Sequence, residues 1–313
     1  MDISDLQVFK TVVEAGGITR AAERLHRVPS NVTARIQKLE QTLEQPLFYR
    51  EKNRLKITPA GLRLLDYADR LLHLRQQAID ELTNPEPAGL LRVGSMESSA
   101  AARLPAVLVD FHRRFGRVDL ELTTGASGPL VEKVLSGDLD VALAADPIAD
   151  RRLATQPCFE EELVIVKPLS LASSRGPASL PEPLTVVGFT QGCSYRNRIE
   201  QWLATEGRHC DRMVEIPSHH TMLACVMAGM GVAMVPRSVL ALHPSLEGLS
   251  VETPHSSISN AITYLIWRQD AVLPAIDALA QVLADHANLK TEDWRLEPEA
   301  DPVRPRLAEC RRP

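Results

Sequence analysis

The sequence predicts an α+β protein of several domains: a small N-terminal helical bundle with a hairpin, one long helix, and then a region of alternating strands and helices. Apolar residues recur at steps of three to four through the N-terminal part, which predicts helices. After residue 88, apolar strand-like runs alternate with helical ones, which predicts a parallel sheet. A chain of 313 residues with 44% hydrophobic and 24% charged residues is large enough for two or three globular domains.

The first helix is predicted to begin at a capping-box pattern, Ser4 followed by Gln7, and to end at the pair Gly16 and Gly17. Its inward-facing residues are spaced as one helical face and would form one wall of a small bundle. These residues are Leu6, Phe9, Val12 and Val13.

Residues 17–50 describe two short helices joined by a tight turn. Small residues at Ala21 and Ala22 allow close helix packing, and Pro29 suits the first turn of the second helix. This is helix-turn-helix geometry, in which the second helix enters the major groove of DNA. A pair of amphipathic helices in an all-α core fits the pattern alone equally well. The second helix carries Val32, Ile36, Leu39 and Leu43 on one face and Ser30, Thr33, Ala34 and Gln37 on the other.

Charge favours DNA binding over the all-α alternative. From Arg20 to Lys56 there are nine basic and four acidic residues, a balance of +5, in a chain whose total is −5, so the remainder carries −10. A cationic region confined to one part of an acidic protein is what contact with phosphates requires.

Residues 49–57 predict two short strands about a charged turn, which is the pattern of a wing beside a helix-turn-helix. Its basic side chains would lie along phosphates or reach a minor groove. A solvated charged loop is the alternative. The basic residues are Arg50, Lys52, Arg54 and Lys56.

A long helix is predicted from Thr58 and Pro59 to about Glu81. Its apolar residues follow a heptad pattern, which predicts pairing with a second copy of the chain and hence two DNA half-sites. Arg75 departs from this pattern and would either lower the stability of the pairing or point to a neighbouring acid such as Asp69. The seam consists of Leu65, Leu72 and Ile79 with Ala68, Arg75 and Leu82 at the interleaved positions.

The predicted domains are 1–58 for the DNA-binding part, 59–87 for the long helix and a hinge, and 88–290 for the α/β region. The α/β region divides into a first lobe of 88–162 and 261–290 and a second lobe of 163–260, because the last strand and helix have no partners in the second group. Residues 291–313 have little to bury and are expected to be disordered.

The sequence holds no pattern of a catalytic, metal or cofactor site. GxGxxG, P-loop and HExxH motifs are missing, and Gly125 to Gly128 has the wrong spacing for a nucleophile elbow. We therefore expect no enzyme activity, no metal and no cofactor. An enzyme built on α/β lobes stays the main alternative class, because a fold alone does not give a function. Cys193, at a helix start, is considered as a structural or redox-sensing thiol with a lowered pKa.

The compartment is predicted to be the cytoplasm. The N-terminus MDISDLQVFK carries acids where a signal peptide needs bases and an apolar run. Five cysteines without a CxxC pair suit reduced thiols. The uncharged run from Ile216 to Pro236 contains histidines, prolines and glycines, which indicates a buried helix, a turn and a strand, not a membrane span.

Several motifs resemble the LysR-type transcriptional regulators. The run AAERLHRVPSNVTARIQKLEQTLEQPLF followed by LKITPAG carries the resemblance, and SGDLDVAL and AGMGVAMVP support it, over Leu6 to about His286. The resemblance implies a winged helix-turn-helix, a linker helix and a two-lobed α/β effector domain like a periplasmic binding protein. It also implies a homodimer or homotetramer on promoter DNA, a small-molecule effector in the cleft between lobes, and RNA polymerase as a further partner.

The recognition helix departs from the common pattern of that family. Val28 and Pro29 replace a frequent Thr-Gln pair, and Ala34 stands where an arginine is frequent. Val28 cannot cap a helix and Pro29 cannot donate a hydrogen bond to a base. We expect Ser30, Asn31 and Thr33 to read bases, and Arg35 and Lys38 to contact phosphate or a helix neighbour. The full set of predicted DNA-binding residues is Arg27, Pro29, Ser30, Asn31, Thr33, Ala34, Arg35, Lys38, Arg50 and Arg54.

The effector site is predicted from side chains at strand ends and helix starts, where binding proteins hold ligands. Each hydroxyl there could equally be a simple helix cap. Helix N-termini favour an anionic effector and Glu97 favours an amine, so an amino acid, an organic acid and a polyamine all stay open. A solute-binding protein without a role in transcription is a further alternative. The predicted residues are Ser95, Glu97, Ser98, Ser99, Thr124, Ser127, Phe189, Cys193, Ser194, His220 and Thr221.

Overall fold

A computed structural model of the protein describes residues 1–51, 54–83, 86–146 and 148–287. The described chain forms two compact units. The first contains Met1–Leu143, Asp150–Ala154 and Ile266–Val282, and the second contains Ala144–Ala149, Thr155–Leu265 and residues 283–287. The predicted disordered tail lies outside the described residues, as do Lys52 of the wing and part of the predicted hinge.

The N-terminal domain is a three-helix bundle with a hairpin, as predicted. Its helices are α1 (Ile3–Ala15), α2 (Ile18–Arg24) and α3 (Pro29–Leu43), and the hairpin strands are β1 (Phe48–Glu51) and β2 (Arg54–Ile57). The strands pair antiparallel, with Phe48 opposite Ile57. This arrangement is a winged helix-turn-helix.

The core of this domain joins all of its elements. The rings of Phe9 on α1 and Phe48 on β1 lie 5.5 Å apart, and Ala21 is fully buried between helices. The close packing reaches Gly61, where an added Cβ would lie 2.5 Å from the carbonyl oxygen of Leu47. A side chain at this position would therefore push the long helix away from the wing.

The predicted cap of α1 is wrong by two residues. Asp2, not Ser4, is the N-cap: its carboxylate accepts from the backbone N–H of Asp5 at 2.8 Å, and Asp5 accepts from the N–H of Asp2 at 3.1 Å. The pair forms a reciprocal capping box. Acidic side chains fill both roles here, a variant that a search for Ser or Thr followed by Glu or Gln does not find.

The long helix α4 (Pro59–Thr83) forms as predicted, but the first part of its predicted seam packs within the chain. Ala68 is fully buried, and Leu65 packs against the same N-terminal core, so the beginning of that seam is used within the chain. Arg75 is exposed, and Asp69 pairs with Lys10 at 2.6 Å. The exposed apolar stripe, which we call the α4 stripe, consists of Tyr67, Leu71, Leu74, Ala78 and Leu82.

In the first unit a parallel sheet follows α4. Strand β3 (Gly89–Ser95) pairs with β4 (Val118–Thr124) and with β5 (Val141–Ala145), with Ser95 opposite Thr124 and Leu143. The intervening helices are α5 (Glu97–Ala102), α6 (Leu104–Arg114) and α7 (Ser127–Ser136). The helical segment from Glu97 to Arg114 breaks at Arg103, because Pro105 has no N–H to continue the hydrogen bonds of α5 but fits the first turn of α6.

The second unit is built around the long strand β6 (Leu153–Pro168). It pairs antiparallel with β9 (Ala233–Pro236) and β10 (Leu249–Glu252), of which β10 was not predicted. A separate parallel pair joins β7 (Thr185–Gly188) and β8 (Arg212–Glu215). Its remaining elements are α8 (Ser194–Ala204), α9 (His219–Met227), α10 (Arg237–Leu240), α11 (Ser256–Ser259) and most of β11 (Asn260–Arg268). Most of the last helix, α12 (Pro274–Asp285), belongs to the first unit.

Among the described residues, none of the helices is both long enough and apolar enough to cross a membrane.

Candidate nucleic-acid interface and effector site

The turn between α2 and α3 is closed by backbone bonds, without a side-chain cap. His26 adopts the left-handed conformation with φ of 51°, and the N–H of Arg27 donates to the carbonyl of Ala22 at 2.9 Å. Val28 is extended and makes no side-chain cap, and Pro29 occupies the first turn of α3. The beginning of α3 therefore presents small and polar side chains without a capping hydroxyl.

One face of α3 is exposed along its length. Ser30, Asn31 and Lys38 are exposed, and Gln37, which was left out of the predicted DNA-binding residues, lies on the same face. None of the hydrogen bonds among the described residues involves these four side chains. Gln37 was missed although it lies seven residues, or two turns, after Ser30. The predicted residues that are exposed at this face are Arg27, Pro29, Ser30, Asn31, Ala34 and Lys38.

Two other predicted residues of α3 are engaged within the protein. Thr33 is half-buried, and its hydroxyl donates to the carbonyl of Pro29 at 2.9 Å. Arg35 donates through Nη1 to Oδ1 of Asp5 at 2.8 Å and to the hydroxyl of Ser4 at 3.1 Å. Thr33 and Arg35 thus form hydrogen bonds within the protein, unlike the four side chains of the open polar face, Ser30, Asn31, Gln37 and Lys38.

The wing is held against the end of α3 by a carboxylate. Oε1 of Glu40 accepts from the backbone N–H of Leu47 at 2.8 Å and of Phe48 at 3.2 Å. Tyr49 and Lys56 are cross-strand partners, and both are exposed. The side chains of the predicted residues Arg50 and Arg54 lie outside the described part of the structure.

In the first unit the predicted effector residues gather at the ends of β3 and β4. Ser95 is buried and donates to the carbonyl of Met96 at 2.9 Å, and the Ser127 hydroxyl lies 3.3 Å from the Met96 sulfur. Ser98 and Ser99 are buried within α5, and are not its caps. Oγ of Ser99 has no hydrogen-bond partner among the described residues. Glu97 is half-buried, whereas Thr124 is exposed.

In the second unit the predicted residue Phe189 belongs to an aromatic cluster. The ring of Phe189 lies 4.7 Å from that of His219, which is buried and was not predicted. The predicted His220 is exposed and stacks on His243 at 5.5 Å, and Thr221 is also exposed. The adjacent histidines of α9 point to different environments because successive side chains of a helix are rotated by about 100°.

Ser194 and Cys193 begin α8 and have different roles. The Ser194 hydroxyl donates to the carboxylate of Asp146, which also pairs with Arg198. Burial raises the pKa of the Cys193 thiol, and the nearby backbone N–H groups oppose this only in part. The lowered pKa considered from the sequence is therefore wrong, because removal from water outweighs the helix start. Asp146 and Arg198 were missed because the contact joins residues that are distant in sequence.

The open polar face of α3, the wing beside it and the α/β region that follows define a helix-turn-helix DNA-binding protein with a ligand-binding domain. Comparisons with known proteins agree. Residues 3–62 match the family model described as the bacterial regulatory helix-turn-helix protein, lysR family, and residues 84–288 match the LysR substrate binding domain.

Relatives match along nearly the whole chain. The transcriptional regulator GltR of Bacillus subtilis is 34% identical over 94% of this chain and 99% of its own length. The regulator SoxR of an Arthrobacter species is 33% identical over 87% of this chain and 93% of its own length. The crystal structure of full-length CbnR bound to its target DNA has a TM-score of 0.68 at 23% identity, covering 92% of this chain and all of that chain, which shows the shared fold.

The chain belongs to the LysR family of transcriptional regulators. It is a DNA-binding regulator whose second part is a substrate-binding domain for an effector, and its relatives are named as transcriptional regulators.

Proposed function

We propose that the protein binds promoter DNA in the cytoplasm as a homo-oligomer, with the exposed face of α3 in the major groove, and that an effector changes how RNA polymerase uses that promoter. In this proposal the protein catalyses no reaction. The observation that carries it is the open face of α3: Ser30, Asn31, Gln37 and Lys38 are exposed and without hydrogen-bond partners among the described residues.

Each of these side chains suits a particular contact. Asn31 and Gln37 have amides that can bond the N6 and N7 atoms of adenine, and Ser30 can bond either kind of base edge. Lys38 suits a phosphate, since an exposed ammonium supplies charge without fixed geometry. Gln37 thus joins the residues predicted from the sequence, and Thr33 contributes less because its hydroxyl already donates to Pro29.

The α4 stripe supports self-association. Tyr67, Leu74 and Leu82 are 60%, 57% and 86% exposed, whereas Ala68 on the same helix is buried in the N-terminal core. A continuous exposed apolar stripe on a long helix favours pairing with another helix. A second copy of α4 is the simplest partner, and it would place two recognition helices on one DNA.

For the effector we propose a small polar molecule held in the substrate-binding domain. Buried hydroxyls at the C-terminal ends of parallel strands support this, and Oγ of Ser99 has no partner among the described residues to satisfy it. Reversible binding of such a molecule would shift the protein between two states.

The test is a gel shift of the purified full-length protein on the DNA immediately upstream of its own gene and on random duplex DNA, at two salt concentrations. Non-specific binding falls steeply with salt, whereas base contacts persist. The proposal expects the upstream complex to survive at the higher salt and the random complex to dissociate. Loss of both complexes together would contradict it. A thermal-shift series with amino acids, organic acids and polyamines then tests the effector site.

A further inference from the structure

Arg35 differs from Lys38, the other basic residue of α3, because its guanidinium is paired inside the domain. Its guanidinium donates to Asp5 at 2.8 Å and to Ser4 at 3.1 Å. The side chain of Asp5 is only 4% exposed, while that of Arg35 is 32% exposed. The contact joins the first turn of α1 to the middle of α3.

Both carboxylate oxygens of Asp5 accept hydrogen bonds. Its other carboxylate oxygen accepts from the N–H of Asp2, so the carboxylate is fixed by the capping box of α1. If Arg35 turned away to a phosphate, a buried carboxylate would lose its counter-charge, which is costly. Lys38, less than one turn further along α3, makes no such contact and is exposed.

The contact between Arg35 and Asp5 also lies where it can control the orientation of α3. Val32 and Ile36, which flank Arg35 on α3, are 0% and 5% exposed and anchor the helix through apolar contacts that have no directional preference. A charge-assisted hydrogen bond is directional, so the contact between Arg35 and Asp5 fixes how α3 is rotated about its own axis. A small rotation of α3 would move the side chains of Ser30, Asn31 and Gln37 together relative to a base edge.

We infer that Arg35 is a positioning residue for DNA recognition and not a phosphate ligand: through Asp5 it fixes the rotation of α3 that presents the open face to the major groove. This inference rests on the proposed DNA binding through α3 and assigns a role that the sequence left open between a phosphate and a helix neighbour.

The experiment measures the affinity of the full-length protein for the upstream DNA and for random duplex by fluorescence anisotropy across a salt series. The variants are Arg35→Gln, Asp5→Asn, the double variant, and Lys38→Gln as the matched control. Two quantities are compared, the ratio of the two affinities and the slope of log affinity against log salt. A loss of folded protein lowers both affinities equally and leaves the ratio and the slope unchanged.

The inference expects Arg35→Gln and Asp5→Asn each to lower the affinity ratio about tenfold, similar to the loss of one base contact. The double variant should be no worse than either single variant, since both remove one contact. Their salt slopes should stay at the wild-type value, whereas Lys38→Gln should reduce the slope by about 0.9, as expected for one lost phosphate contact.

The phosphate-ligand role predicts the opposite pattern. Arg35→Gln would then reduce the slope by about 0.9, and Asp5→Asn, by freeing the guanidinium, would raise the affinity for random DNA. Either result would overturn the inference, as would unchanged ratios in both single variants. If wild-type protein shows no preference for upstream DNA, the proposed recognition of that site fails, but the slopes on random DNA still decide the role of Arg35.

Discussion

His73 on α4 lies with its Nε2 atom 3.1 Å from Oδ1 of Asp140, and each of these side chains is 7% exposed. The same carboxylate accepts from Nε2 of Gln77 at 2.7 Å and from the backbone N–H of Arg92 at 2.7 Å. A single buried carboxylate thus joins the long helix, which carries the DNA-binding domain, to strand β3 of the α/β region. Asp140 lies in the SGDLDVAL motif that supported the family resemblance.

Asp140→Asn should destabilise the first unit. The substitution replaces one acceptor oxygen by an NH₂ group among donors, and the expected cost is about 2 kcal/mol or more, as for other disrupted buried charge networks. Urea unfolding of the full-length protein measures it. Asp138→Asn is the matched control, because Asp138 pairs with Arg70 at 3.1 Å but is 33% exposed, so its loss should cost less than about 1 kcal/mol. Equal costs for the two variants would contradict a special role for Asp140.

Leu74→Asp should dissociate the oligomer. A charge in the middle of the exposed α4 stripe would have to be buried without a partner on pairing. Arg75→Asp, one residue away and also exposed, should leave the assembly intact, although Arg75 lies on the seam that was predicted from heptad spacing. Sedimentation velocity of the two variants distinguishes the stripe from the predicted seam. Dissociation by Arg75→Asp alone would favour the seam.

Cys193 and Cys158 should resist alkylation in the native protein. Burial raises the pKa of Cys158 to about 12 and also raises that of Cys193. Because the thiolate is the reactive form, both should react with iodoacetamide at pH 8 at least about tenfold more slowly than in denatured protein. Cys225, which is partly exposed, provides the internal comparison. Peptide mass spectrometry over time gives the rates, and rapid labelling of Cys193 in folded protein would show that its thiol is accessible.

Asp2→Asn should change how stability depends on pH. The hydrogen bond from the backbone of Asp5 lowers the pKa of Asp2 below its ordinary 3.8. Ionised Asp2 therefore stabilises the fold above that ordinary value, and the contribution is lost as the pH falls through the lowered pKa. The melting temperature of Asp2→Asn should lie below that of the wild type at pH 7 and approach it towards pH 2. A constant difference across this range would exclude a contribution from the charge.

Apolar spacing was enough to predict the helical bundle, the wing and the alternating α/β region, because the period of apolar residues within one element is a local feature of the sequence. It did not predict contacts between distant residues. The Asp5 and Arg35 pair spans 30 positions, and Asp146 meets Arg198 across 52, so neither carried a local signal. Gln37 could have been found, since it lies on the polar face that the same spacing defined.

The seam on α4 shows a second limit. A heptad pattern identifies apolar faces of a helix but not which face is used within the chain. Ala68 and Leu65 fitted the predicted seam but pack in the N-terminal core. The α4 stripe is the apolar face of the helix that stays exposed. Likewise, His219 and His220 are indistinguishable by spacing, and only the structure shows which one is buried beside Phe189.

The most direct test of DNA recognition through α3 is a hydroxyl-radical footprint of the full-length protein on the DNA immediately upstream of its gene. Two recognition helices in successive major grooves should protect discrete patches spaced by about 10 base pairs or a multiple of it. Asn31→Ala combined with Gln37→Ala should remove these patches while leaving non-specific binding. Uniform protection by the wild-type protein, or patches that persist in the double variant, would contradict recognition by the open face of α3.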